Sequence, residues 1–159
     1  MKARKGFTLV EILIVVVILG ILAAIVIPQF TDASTEAKEA SMRSDLQMLR
    51  SQIELYKIQH NDEFPGSGTG STDFETDMTT YTEVDGTPAT SQAPGQDGVY
   101  GPYMQSVPTN PFNDDNTVAS GATDSGIAGD TGWFFNTTTG AIRPDDTLSS
   151  PDGTAHIDL

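Results

Sequence analysis

The longest apolar stretch of the chain runs from Phe7 to Ile27, and Glu11 is its only charged residue. As a helix rising about 1.5 Å per residue it would be roughly 30 Å long, which matches the hydrocarbon core of a bilayer. A secretory signal peptide is normally shorter in its apolar part and ends at a small-residue cleavage site, which is missing before Pro28. The pattern therefore predicts a membrane-spanning helix over residues 7–28.

A second apolar pattern follows Pro28, with alternating spacings of four and three that are typical of one helix face. Its members are Met42, Leu46, Leu49, Ile53, Tyr56 and His60. The helix is thus predicted to continue to about residue 60 and to pack this face on a folded domain. Pro28 should kink the helix or melt one turn, because proline lacks an N–H and clashes with the preceding turn.

Charged residues occupy the other face of this second half. Glu39 and Arg43 lie four residues apart, the spacing of a modest ion pair on a helix surface. This face is predicted to be mostly solvated.

Shorter patterns fill the rest of the chain. Residues 66–72 are rich in Gly, Ser and Thr and predict a loop. Thr72 and Glu75 have the spacing of a capping box, which predicts a short helix with Phe74, Met78 and Tyr81 at helical intervals. The stretch 84–98 returns to small and polar residues and needs no packed element.

The C-terminal third favours β structure. A proline-rich connector over 101–112 precedes a strand near 117–119, and residues 132–136 and 141–143 flank a glycine-containing turn as in a hairpin. These elements predict a small antiparallel sheet packed against the long helix. The expected fold class is α+β.

Charge predicts how the chain sits in a membrane. Lys2, Arg4 and Lys5 precede the apolar run, and the positive-inside tendency keeps them in the cytoplasm. Everything after about Gln29 is then extracytoplasmic, so residues 29–159 form one small domain outside the cytoplasm.

The composition narrows the possible partners. The chain of 159 residues has a formal net charge of -14 and no cysteine, and only Arg143 is basic beyond Lys57. Such an excess of negative charge repels nucleic acid and anionic lipid surfaces, so no nucleic-acid partner is expected. Without disulfides, an exported domain of this size needs an apolar core or a bound metal.

Glu11 is costly within the apolar run. A carboxylate there costs about 2.5–3.5 kcal/mol on insertion scales, so it usually marks a functional partner. The run Lys5-Gly6-Phe7-Thr8-Leu9-Val10-Glu11 resembles the N-terminus of the type IV pilin and type II secretion pseudopilin superfamily.

That resemblance implies a leader peptide over residues 1–6, which a membrane prepilin peptidase cuts between Gly6 and Phe7, and methylation of the new N-terminus at Phe7. It also implies that Glu11 pairs with the N-terminal amine of a neighbouring subunit during assembly. The paired charges would offset each other's burial and favour one register.

The connector and sheet are most similar to the G-type, or major, pseudopilins. The resemblance implies a subunit of a type II secretion pseudopilus, anchored once in the bacterial inner membrane with a periplasmic domain. The implied partners are other pseudopilins, the prepilin peptidase, an inner-membrane assembly platform and membrane lipid. The alternative in the same architecture is a type IV pilus subunit for adhesion, motility or DNA uptake.

An enzyme is not expected, because the chain has neither a recognisable nucleophile motif nor a metal-protease motif, and His60 is interpreted as a packing residue at the helix end. A membrane-anchored domain that binds or hydrolyses a substrate without polymerising is the alternative from another class. Glu11 and the peptidase site argue against it.

Calcium is the one cofactor that the resemblance implies, since G-type pseudopilins hold an ion in loops near the sheet. The candidate ligands are Asp114, Asp115, Asp124 and Asp130, which lie in loops and carry the hard oxygens that calcium prefers. A solvated acidic loop accounts for them equally well. Asn136-Thr137-Thr138 spells a glycosylation sequon, for which a hairpin turn is the alternative interpretation.

Overall fold

The computed structural model describes residues 6–89, 98–124 and 129–159. The leader predicted for residues 1–6 therefore lies outside the described residues, apart from Gly6. The chain divides into two compact units, Met1–Lys38 and Glu39–Leu159.

Helix α1 runs from Leu9 to Gln59 and passes through Pro28 without a break. A kink or a melted turn was predicted at Pro28, and the melted turn is not found. Just beyond the proline, the hydroxyl of Thr31 donates to the carbonyl of Ile27 at 3.1 Å, and the hydroxyl of Thr35 donates to the carbonyl of Thr31 at the same distance. These side-chain bonds lie beyond the proline and do not replace the bond that its missing N–H would have made to the carbonyl of Ala24.

In the unit Glu39–Leu159, the predicted apolar face of α1 forms one wall of the core. All six members of that face are buried, which confirms the spacing argument. The core cluster also takes in residues from α2, the connector and the C-terminal strands, namely Phe74, Met78, Met104, Val107, Trp133, Phe135 and Ile142. The domain therefore has a continuous apolar core without a disulfide.

The short second helix, α2, spans Phe74–Thr79, as predicted, but it starts at a different cap. Asp73, not Thr72, is the N-cap: its carboxylate accepts from the backbone N–H of Thr76 at 2.8 Å and from the Thr76 hydroxyl at 2.9 Å. Aspartate is as good an N-cap as threonine or better, and here its backbone is extended as that position requires.

Two very short strands went unpredicted. Strand β1, Thr82–Glu83, pairs antiparallel with β2, Val99–Tyr100. A bridge between Thr82 and Pro88 extends the pairing into the stretch expected to lack packed structure, of which residues 90–97 lie outside the described part. Two-residue strands are too short to show an alternating pattern.

The larger sheet contains β3, Val118–Gly121, β4, Trp133–Asn136, and β5, Ile142–Pro144, in the order β3-β4-β5. The β4–β5 hairpin is antiparallel, as predicted. Strand β3 pairs parallel to β4, so the sheet is mixed and the expectation of a purely antiparallel sheet is wrong. Eleven residues separate the end of β3 from the start of β4, and a parallel pair needs a connection of about this length. The α+β class is confirmed.

Candidate assembly site and loop carboxylates

The first turn of α1 holds the carboxylate of Glu11 close to the helix N-terminus. Glu11 Oε2 accepts hydrogen bonds from the backbone N–H of Thr8 at 2.8 Å and from its hydroxyl at 2.7 Å. In return, the N–H of Glu11 donates to the Thr8 hydroxyl oxygen at 3.3 Å. This reciprocal pair is a capping box, and it places the negative charge at the end of the helix that favours an anion.

Around Glu11 the apolar side chains have no cover within the described chain. Phe7 is 83% exposed, and every residue from there to Phe30 is exposed. By length and composition, α1 is the single described helix apolar enough to cross a membrane. Apolar surface of this extent needs lipid or another chain as its partner.

Gly6 precedes α1 in an exposed, non-helical position, and no heavy atom lies within 4 Å of the place where a Cβ would sit. No described atom outside its chain neighbours therefore crowds the side-chain position of Gly6, next to the peptide bond with Phe7. The residues predicted for processing and assembly lie close together. Gly6 and Phe7 precede α1, and Glu11 lies in its first turn.

Two of the four aspartates predicted to bind calcium already have partners. Asp115 Oδ1 accepts from the N–H and the hydroxyl of Thr117, both at 2.8 Å, and these bonds lower the pKa of the Asp115 carboxyl. Asp124 accepts from Asn136 Nδ2 at 2.7 Å and lies 3.4 Å from Arg143 Nη2. These bonds use oxygens that a metal would need.

The other two, Asp114 and Asp130, are exposed, and Asp114 has a positive φ of 56°. Within the described ranges, no group of three acidic or histidine side chains is arranged to hold a metal ion. Residues 125–128, between Asp124 and Asp130, are not described. Calcium binding stays a prediction, which melting the chain with calcium or a chelator would test.

Asp145 organises the same region, although the sequence analysis did not select it. It is buried; its Oδ1 accepts from the N–H of Gly129 at 2.8 Å, and its Oδ2 accepts from the N–H and hydroxyl of Thr131 at 3.1 and 2.6 Å. The carboxylate thus ties the start of β4 to the end of β5. In the sequence, Asp145 is marked only by its position directly after a hairpin strand. Many aspartates have such a position, so it could not identify Asp145.

The two histidines are both buried. His60 stacks on Tyr56 with ring centroids 3.7 Å apart, and its ring nitrogens contact the Tyr56 carbonyl and the Thr82 hydroxyl, each at 2.9 Å. Burial lowers the pKa of His60, and hydrogen bonding and nearby carboxylates oppose that shift. The interpretation of His60 as a packing residue is confirmed.

His156 lies against α1 from the C-terminal end of the chain. Its Nδ1 is 2.7 Å from Asp146 Oδ1, and its Nε2 is 4.0 Å from Glu39 Oε1. Glu39 is therefore buried, and its assignment to the solvated face is wrong, although its predicted ion pair with Arg43 forms at 3.8 Å. The helical spacing could not reveal a C-terminal segment that covers this edge of α1.

Asn136 is engaged in the hairpin turn. Its side-chain oxygen accepts from the N–H groups of Thr138 and Thr139, and the residue is 4% exposed. The side-chain nitrogen already donates to Asp124. The geometry supports the turn interpretation of the sequon.

The N-terminal sequence and the longer alignments point to one family. Residues 1–27 match the family model described as the prokaryotic N-terminal methylation motif. The type II secretion system core protein G of Pseudomonas aeruginosa is 39% identical over 69 residues, which cover 43% of this chain and 48% of that protein. A fimbrial protein of Pseudomonas aeruginosa is 36% identical over 86 residues, or 54% of this chain and 56% of that protein. The chain thus matches about half the length of these two relatives.

No solved structure matches the chain. The type II secretion system core protein G of Dickeya chrysanthemi is 31% identical over 119 residues, which cover 75% of this chain and 70% of that protein. This alignment extends far beyond the N-terminal motif and includes most of both proteins. The chain therefore belongs to the family of the type II secretion system core protein G.

Proposed function

We propose that the chain is a structural subunit of a type II secretion pseudopilus and has no catalytic role. The observation that carries the proposal is the placement of Glu11. Its carboxylate is held at the amino end of a helix whose apolar side chains are uncovered, beside an exposed Phe7. A family relationship to core protein G agrees with this reading.

The proposed sequence of events starts in the inner membrane. The chain spans it once, with the leader in the cytoplasm and residues 29–159 in the periplasm. Prepilin peptidase cuts between Gly6 and Phe7, which frees an N-terminal amine next to the capped carboxylate of Glu11. Subunits then polymerise on an inner-membrane assembly platform, and the amine of one pairs with Glu11 of another.

Pairing explains why the charge is tolerated in the apolar run. An isolated carboxylate in the bilayer is costly, and an amine from the next subunit offsets that cost only in the docked register. Apolar contacts between the helices then bury surface area, and the charge pair fixes the register in which neighbouring helices dock. The short filament would help to push folded proteins through the outer membrane.

A type IV pilus subunit is the second candidate, favoured by the match to the fimbrial protein. Deleting the gene and restoring it separates the two. Loss of export of folded periplasmic proteins, with surface pili unchanged, supports the pseudopilus. Loss of pili with normal export supports the pilus subunit. If neither export nor pili are lost, both candidate functions are contradicted.

A further inference from the structure

Positive charge is scarce in this chain and unevenly placed. Three of its eight Lys and Arg residues precede Gly6, and the five that remain after the proposed cleavage are Lys38, Arg43, Arg50, Lys57 and Arg143. Sixteen of the 22 carboxylates lie beyond residue 60, where Arg143 is the single basic residue. Copies packed side by side would repel one another unless positive groups of one meet carboxylates of the next.

Three of those five positive side chains converge on one groove. A cavity of about 440 Å³ lies along α1 and is lined by Arg43, Arg50 and Leu159 among others. A second cavity of about 270 Å³ adjoins it and is lined by Arg50, Arg143 and Leu159 among others. Because Arg50 and Leu159 belong to both, we treat the two cavities as one surface and name it the arginine groove.

Arg50 is fixed at the centre of the arginine groove. Its Nη2 donates to the main-chain oxygen of Leu159 at 3.1 Å and to the carbonyl of Ile142 at 3.4 Å. Both bonds use the same nitrogen, whereas a guanidinium carries five N–H donors. The side chain is held in position without using its whole donor set, which reduces the entropy lost when it binds a further acceptor.

The two flanking arginines are only loosely paired. Arg43 Nη2 lies 3.8 Å from Glu39, and Arg143 Nη2 lies 3.4 Å from Asp124, with the arginine side chains 53% and 34% exposed. Charge-assisted hydrogen bonds are normally about 2.7–2.9 Å long, and exposed ion pairs contribute little to stability. Either arginine can therefore turn to a new carboxylate at small cost.

We propose that the arginine groove binds carboxylate side chains of a second copy of this chain. The proposal rests on the proposed function, because a filament is what brings a second copy to this surface. Asp158 also lines the smaller cavity, so the groove suits one or two carboxylates better than a long anionic polymer. The acidic surface of each copy offers such groups in excess.

A cross-linking experiment tests the contact directly. The full-length Arg50→Lys variant keeps the positive charge and adds an amine, which a carbodiimide joins to a carboxylate in contact with it. Filaments assembled from a mixture of ¹⁵N-labelled and unlabelled subunits should give mixed-isotope peptides that link position 50 to an Asp or Glu. Detergent-solubilised monomers should not.

The native amine of Lys57 provides the reaction control in the same sample. Filaments that form but yield only intrachain links at position 50, or none, overturn the proposal and leave the proposed function intact. If the unsubstituted chain forms no filaments with its assembly machinery, the proposed function fails instead. The two failures are thus distinguishable.

Charge removal gives a second test with a matched control. Arg43→Gln and Arg143→Gln should each lower filament yield by about tenfold, a moderate effect for an interfacial charge that loses its partner. Arg50→Gln should do the same, although it also loses bonds to Ile142 and Leu159. Lys57→Gln removes a charge outside the groove and should leave the yield within twofold. Equal yields from all four variants overturn the proposal.

Discussion

Glu11 is a single side chain that forms a helix cap and, in the proposed function, also supplies a charge for docking. Replacing it with Val removes the burial cost of the carboxylate, so membrane insertion should be retained. Filament yield should fall at least tenfold, because docking loses its charge partner. Sheared filaments and membrane fractions measured from the same cells report the two quantities separately.

Glu36→Val is the matched control for that experiment, since Glu36 is an exposed glutamate on α1 beyond the apolar run. It should change filament yield much less. Equal losses in the two variants would show that any acid on α1 has the same effect and would reject a specific role for Glu11.

The proposed processing after Gly6 should depend on the small size of that residue. The Gly6→Leu variant should keep residues 1–6, since a bulky side chain beside the scissile bond blocks the peptidase. Intact-mass spectrometry of the membrane form would detect the retained leader. Gly20→Leu alters a second glycine with open space around it and should leave the mature mass changed only by the substitution. A mature-length product from Gly6→Leu would place the cut elsewhere.

The lowered pKa of His60 predicts how the stability of the folded state responds to acid. Its pKa is lowered by burial, so the folded state binds the proton less readily than the unfolded state, in which the imidazole has its ordinary value of 6.5. Its contribution to stability is therefore fully present above that value and is lost as the pH falls below it. The His60→Gln variant should show a flatter decrease of melting temperature between about pH 7 and pH 5. An unchanged slope would assign the acid sensitivity to other groups.

At the scale of elements, the β4–β5 turn depends on Gly140. It has a φ of 73°, and a Cβ there would overlap the ring of Phe64. Gly140→Ala should lower the free energy of unfolding by about 2–4 kcal/mol, from backbone strain and overpacking together. Denaturant unfolding of the full-length protein in detergent would measure it.

Gly153→Ala separates the two causes, because Gly153 has a φ of 87° but nothing lies within 4 Å of its absent Cβ. It should lose only the backbone part, about 1–2 kcal/mol. If both variants lose the same amount, the ring of Phe64 moves aside freely and the overpacking argument fails.

Elements with a long or strongly patterned sequence were the predictable ones. The face of α1 from Met42 to His60 repeats over five helical turns, and the hairpin has aromatic strands around a glycine turn. The parallel partner of β4 could not be predicted, because the sequence between β3 and β4 carries no pattern that indicates strand direction. Strands β1 and β2 are too short to show a period.

In the candidate site, too, the predictable residues were those that belong to a local sequence pattern. The assembly residues form a local motif, and a capping box needs only residues three apart, so sequence order alone places Thr8 beside Glu11. Glu39, by contrast, is buried by His156, which approaches from far along the chain. Asp145 is likewise defined by loops that meet only in the folded state.

At the scale of the whole molecule, the proposed topology predicts where a label can reach. The chain has no cysteine, so Ser120→Cys introduces a single thiol at an exposed position of β3 with little change in size. A membrane-impermeant maleimide should label it in spheroplasts without lysis. Ala24→Cys in the apolar run should stay unlabelled, and labelling of Ser120→Cys only after lysis would reverse the topology.

Under the proposed topology, the contact of residues 156–159 with α1 would form late in biogenesis. His156 faces Glu39, and Leu159 accepts a hydrogen bond from Arg50, so the folded unit is closed by the final segment of the sequence on its first one. A chain that crosses the membrane with the proposed orientation cannot complete this unit until residues 156–159 have emerged from the translocation channel.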